Sequence, residues 1–212
     1  QAYAWKACAL GQGLFRGYIE EDFNGVWKQA EDNLKKAREL NENDFEVHRL
    51  MSEVTLAMKD FRAAQRHSKL AYDMVPNDPR VLSVYGDVCV RTGKVDEGVD
   101  ALKLALDLDP IPQGKTNADP RHAGLLFAYY MSRDKDGCLE QIGHLDEIDV
   151  RSWLITTKIC SDEEHDYENL DWFKEGKKLF ADKDWGKVVP DFRLNNDSAS
   201  EALIEFGKGL FK

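Results

Sequence analysis

The sequence predicts an all-α fold, a right-handed solenoid of helical hairpins closed by an atypical C-terminal helix. Three observations carry this. Ala71 and Pro76 return 34 residues later as Ala105 and Pro110, in "AYDMVP" and "ALDLDP". Apolar residues recur at helical rather than strand spacing through most of the chain. Small residues stand where two helices of a hairpin must approach closely, and self-similarity at such a period marks a repeat architecture.

The second and third units are the most regular. With Phe45 as position one, Met51 and Ser52 take positions seven and eight, Ala64 position twenty, Ala71 twenty-seven and Pro76 thirty-two. From Pro79 the same ruler meets Tyr85, Gly86, Gly98, Ala105 and Pro110. Asp44 or Asn43 caps a helix from about Phe45 to Met58, with Val47, Leu50, Met51 and Val54 on its buried face, and Asp60 caps the next. Asp78 precedes Pro79 at a first helical position, Gly93 stands where a left-handed residue ends a helix, and Leu102, Ala105 and Leu106 continue an apolar stripe. Pro76 and Pro110 each follow a helix end.

The flanking units depart from the ruler. "WKQAEDNLKKAREL" reads as the second helix of a first hairpin, "AYAWKACALGQGLF" as its first helix, and "RGYIEEDFNG" as an inserted loop between them. After the connector "IPQGKTNADP", residues 121–145 read as a degenerate hairpin. No single frame puts both Phe127 and Gly137 on the small positions, so a shortened first helix or a bulge is expected there. "VRSWLITTKIC" and "LDWFKEGKKLFA" make a fifth hairpin around the acidic loop "SDEEHDYEN", "WGKVVPDF" a short helix broken near Pro190, and Ser198 with Glu201 a capping box for the closing helix. The expected division is one solenoid over 1–212: a first repeat with its insertion at 1–44, regular repeats at 45–78 and 79–112, a degenerate repeat at 113–148, and an irregular hairpin with capping helices at 149–212.

These two regular units resemble tetratricopeptide repeats, with Ser52 and Gly98 as the departures at the small positions. The resemblance implies a concave groove lined by the first helix of each unit, with a protein or peptide partner contacted from positions two, five, nine, twelve and thirteen. Those positions are Glu46, Arg49, Glu53, Leu56 and Ala57, then Arg80, Ser83, Asp87, Val90 and Arg91. Glu53 and Asp87 stand at position nine, where repeats that clamp a C-terminal carboxylate use other side chains, so that subtype is not expected. The order of an inserted loop, two regular repeats, a lengthened connector and "EALIEFGKGLFK" also resembles the C-terminal repeat region of bacterial class III adenylate and guanylate cyclases. It implies a regulatory or scaffolding part of a larger bacterial protein. The start at Gln1 without Met fits a fragment or a processed chain.

Charge and composition narrow the function. A net charge of −10 and a pI near 5.0 argue against nucleic acid or an acidic membrane surface as main partner. No apolar run approaches the roughly 20 residues that span a bilayer, and the N-terminal residues do not read as a signal peptide, so a cytoplasmic protein is expected. Cys8, Cys89, Cys138 and Cys160 lie inside helical patterns without a C-x-x-C pair and read as buried reduced thiols.

The acidic clusters around His144, Asp146, Glu147 and Asp149, and from Asp162 to Glu168, match neither H-E-x-x-H nor a calcium loop. They read as solvated loops. The aromatic residues Trp153, Trp172, Phe173, Phe180, Trp185 and Phe192 read as core. The function expected is a non-catalytic protein-interaction scaffold without cofactor or metal, working through the groove and the loop after Phe15. Self-association as the regulatory domain of a nucleotide cyclase in cis is the alternative, and a metal-dependent hydrolase using the acidic clusters a weaker one.

Overall fold

A computed structural model describes residues 1–15, 18–19 and 22–211. Arg16, Gly17, Glu20 and Glu21 of the inserted loop lie outside the described residues. Every regular element described is helical. The chain divides into two compact units, residues 1–77 and 78–212.

The first unit holds two hairpins, α1 (Ala2–Phe15) with α2 (Phe23–Leu40) and α3 (Phe45–Ala57) with α4 (Phe61–Met74). Aspartates start three of these helices: Asp22 accepts from Gly25 N–H, Asp44 from Glu46 N–H and Asp60 from Ala63 N–H, each satisfying a donor the first turn leaves orphaned. Ala4, Ala7, Ala30, Leu34, Ala37, Val47 and Leu50 form its core. Four of those seven are alanines, so the helices meet at close range with little side chain between them. In the second hairpin Ser52 Oγ donates to the Ala64 carbonyl at 3.0 Å, which satisfies a buried hydroxyl between α3 and α4.

The second unit begins with α5 (Pro79–Arg91) and α6 (Val95–Leu108). Asp78 accepts from Arg80 N–H and Val81 N–H, Pro79 opens the helix, and Gly93 takes φ +90° after it. A Cβ on Gly86 would stand 2.9 Å from the Gly98 carbonyl oxygen and one on Gly98 2.8 Å from that of Gly86, so the two backbones touch where neither residue can carry a side chain.

The next hairpin pairs α7 (Asp119–Ser132) with α8 (Lys135–Ile142). Neither a shortened first helix nor a bulge is needed: α7 runs 14 residues, and α8 is the short one at 8. Cys138 Sγ donates to the Leu126 carbonyl at 3.6 Å across a separation of 12 residues, the separation that joins Ser52 to Ala64. Leu126 and Cys138 thus hold the close-contact positions, one residue from Phe127 and Gly137. Gly137 instead lies under the Tyr129 ring.

Then α9 (Val150–Asp162), α10 (Asp171–Leu179), α11 (Trp185–Val188), a 3-10 turn (Val189–Phe192) and α12 (Asp197–Gly209) complete the unit. Trp153 is fully buried at their centre, its indole N–H donating to the Phe173 carbonyl at 3.1 Å, with the rings of Phe173, Phe180, Trp185 and Phe211 around it. Trp172 is partly buried at the edge of this core. Asn196, rather than Ser198, caps α12: its side chain accepts from Ala199 N–H, which starts the helix at Asp197. Cys89, Cys138 and Cys160 are buried, Cys8 is half-buried, and all four are free thiols.

Candidate functional site: the first-helix faces

In the first unit the candidate residues lie on α3. Glu46 and Arg49 are both buried, and the guanidinium makes a two-pronged contact with the carboxylate at 2.7 and 3.1 Å. Arg49 Nη1 also donates to Glu53 at 2.7 Å. Burial opposes the Arg49 charge, but the hydrogen bonds to Glu46 and the field of Glu53 outweigh it, and the pKa is raised. Glu53 is the member that reaches solvent, with 40 % of its side chain exposed. Leu56 is buried and Ala57 is half-buried.

In the second unit Arg80 pairs with Asp78 at 2.7 Å and keeps about a third of its side chain exposed. Ser83 donates to the Pro79 carbonyl at 2.8 Å and accepts from Arg121, whose guanidinium also binds Asp109 at 3.0 Å. Asp87 holds Arg91 Nε at 2.9 Å. Arg91 is buried: one terminal nitrogen donates to the carbonyls of Phe192 and, at 2.8 Å, Arg193, and its Cζ lies 4.4 Å from the centre of the Phe127 ring. Val90 is fully buried. The 3-10 turn near the C-terminus therefore rests on the first-helix face of its own unit.

The sequence spacing alone does not place two further residues, Phe127 and Arg151, on this face. Once Leu126 is seen to hold position eight, Phe127 falls on position nine, the place of Glu53 and Asp87. Arg151 follows the first residue of α9, as Glu46 and Arg80 follow the first residues of α3 and α5. The Arg151 Cζ lies 5.2 Å from the Phe127 centre, so two guanidinium groups share one ring. Burial lowers the Arg151 pKa; Asp149 opposes the shift and Arg91 adds to it. The signal that could have found both was the 12-residue separation of the close-contact pair.

The acidic clusters make local contacts. Asp162 pairs with Lys158, Glu163 with Lys135 at 3.4 Å, Asp149 caps α9, and Asp119 accepts the N–H groups of Asp146 and Glu147, both at 2.9 Å. His144 stacks on His122 with ring centres 4.8 Å apart. Among the described residues no three His, Cys, Asp or Glu side chains converge in a way that could hold a metal ion. No described helix is long and apolar enough to cross a membrane.

No protein-family description matches this chain, and no curated protein does. Its fold is similar to that of the solved structure of PilF from Pseudomonas aeruginosa, a tetratricopeptide-repeat protein, with a TM-score of 0.58 over 99 % of this chain and 92 % of that one. The fold is an all-helical α-solenoid built of successive helix pairs. At 17 % identity the likeness is one of fold.

Proposed function

We propose that this chain is a non-catalytic scaffold that recognises a protein or peptide through its first-helix faces. The observation that carries the reading is the charge laid along them. In the Glu46–Arg49–Glu53 set on α3 the first two side chains are buried and paired, and Glu53, with 40 % of its side chain exposed, is the charge that a partner can reach. Each unit offers its own contact: Glu53 is the solvent-reaching member on the first unit's α3, and Arg80, about a third exposed, is the one on the second unit's α5. Arg49, itself held by Glu46, fixes Glu53 in position, and Asp78 does the same for Arg80.

The experiment is affinity capture from the source cells with the wild-type chain and with Glu53→Lys and Arg80→Glu, each checked for folding by circular dichroism. A specific partner retained by wild type and lost by both variants supports the reading. A partner bound equally by all three overturns the assignment of these faces. Arg49→Glu is the wrong variant, because it would bury a third carboxylate beside Glu46 and Glu53 and unfold the hairpin.

The order of features that resembles the cyclase C-terminal region supports a setting in a larger bacterial protein, in the cytoplasm, where the scaffold serves an attached effector. An immunoblot of source cells tests this: a native band much heavier than 24.2 kDa is the expected result, and a band near that mass overturns it. Sedimentation at several concentrations tests self-association as the alternative role.

A further inference from the structure

The first unit carries a second surface on the other side of α3. Leu34, Met51, Val54 and Met58 floor a cleft of about 220 Å³ between α2 and α3, with Glu31, Lys35, Arg38 and Thr55 around them. At about 100° per residue, Met51, Val54, Thr55 and Met58 cluster on the side of α3 opposite Glu46, Arg49 and Glu53. The cleft is therefore separate from the first-helix face, and failure of either assignment leaves the other standing.

Its chemistry is specific. Leu34 is buried, Met58 is 54 % exposed, and the two methionines give a floor that adapts to an incoming apolar group. The polar groups divide by sign. Glu31 accepts from the Trp27 indole at 2.9 Å, and the Thr55 hydroxyl donates to the Met51 carbonyl at 2.7 Å. Lys35 and Arg38 are exposed, and among the described residues neither has a carboxylate within salt-bridge reach. In a chain of net charge −10, two unpaired cations beside an apolar floor make a local site of opposite sign to the rest.

We infer that this cleft docks one aliphatic side chain of a partner polypeptide, with a carboxylate of the same segment meeting Lys35 and Arg38. The volume favours a peptide anchor over a lipid or small metabolite, since pockets for such ligands run from about 300 to 1,000 Å³. Helix grooves of this kind bind apolar residues spaced along one face of a segment, and the flanking charge sets orientation.

The chain's four methionines supply the test. With the methionine methyls 13C-labelled, Met51 and Met58 report on the cleft, while Met74 and Met131 report on the rest. The probes are the capped tetrapeptide Glu-Leu-Leu-Glu, its reversed-charge counterpart Lys-Leu-Leu-Lys, and octanoate. The acidic peptide shifts Met51 and Met58 in a saturable way, with a dissociation constant on the order of 1 mM for a single anchor. The basic peptide leaves both in place. Lys35→Glu combined with Arg38→Glu weakens the acidic peptide about tenfold and admits the basic one, with unchanged Met74 and Met131 signals showing that the fold is intact. No saturable shift at Met51 and Met58, an equal response to the two peptides, or a response to octanoate alone overturns the proposal.

Discussion

Arg91, the last residue of α5, donates to the carbonyl of Phe192, 101 residues along the chain. The bond ties the first hairpin of the second unit to the turn that precedes its closing helix. One guanidinium thus holds Asp87, two backbone carbonyls and the face of Phe127 together.

Replacing it tests that closure. Arg91→Met keeps the aliphatic stem, removes the charge, and leaves Asp87 and two carbonyls without their donor. The expected loss in stability is about 2–4 kcal/mol, measured by urea unfolding. Amide exchange at Val189 and at Asp191, Phe192, Arg193 and Leu194 should accelerate in the same variant before the rest of the unit does. Unchanged exchange there would mean that Val189, Phe192 and Leu194, all buried, hold the turn without Arg91.

Glycines within one unit should respond oppositely to the same substitution. A Cβ on Gly98 would stand 2.6 Å from Val90 Cγ2 and 2.8 Å from the Gly86 carbonyl oxygen, so Gly98→Ala forces α5 and α6 apart and is expected to cost about 1–3 kcal/mol. A Cβ on Gly124 meets nothing closer than Leu102 Cδ2 at 3.8 Å. There the gain in helix propensity is unopposed, and Gly124→Ala is expected to stabilise by about 0.5–1 kcal/mol. Thermal unfolding of the two variants separates close backbone contact from a general intolerance of α5–α7 to change.

How much of this was legible in sequence depended on which residue held each contact. Where the contact residues were small, as at Gly86 with Gly98 and Ser52 with Ala64, the ruler placed the helices and their caps. It slipped at Leu126 and Cys138 because a leucine there looks like ordinary core and Gly137, one residue away, looks like the contact. That slip hid Phe127 and left Arg151 unplaced. The resting of the 3-10 turn on Arg91 could not be read at all, since nothing local in "VPDFR" distinguishes a loose tail from a packed one. The pairing of Arg49 with Glu46 was visible as spacing, but its burial was not.

Thiol chemistry gives a third measurement. Burial raises the pKa of Cys8, Cys138 and Cys160, the last to about 11, so little thiolate is present at neutral pH. Native protein should react slowly with a thiolate-selective reagent at all three, and a denaturant should release four thiols together. Rapid reaction at Cys138 or Cys160 in native buffer would indicate that the second unit opens locally without unfolding.

Acid sensitivity should trace to one histidine pair in the first unit. His48 and His67 stack with Nδ1 atoms 3.0 Å apart, and His48 Nε2 lies 2.8 Å from the Glu42 carbonyl. The arrangement accommodates two neutral rings: His48 donates from Nε2 to Glu42 and accepts at Nδ1 from His67. A proton added to His67 at Nε2 faces the Arg66 guanidinium 3.5 Å away. Burial first, then His48, Arg66 and Arg38, lower the His67 pKa to about 4. The folded pKa lies below the unfolded value of about 6.5, so the unfolded chain takes up the proton first. Stability is therefore full above that value and is lost as pH falls from about 6.5 towards 4. Between pH 7 and pH 5 wild type should lose about 1–2 kcal/mol from this group. His67→Gln should remove that increment of pH dependence whatever it does to stability at pH 7. Urea titrations of both proteins at the two pH values decide it, and an unaltered pH dependence in the variant would move the acid response elsewhere in the chain.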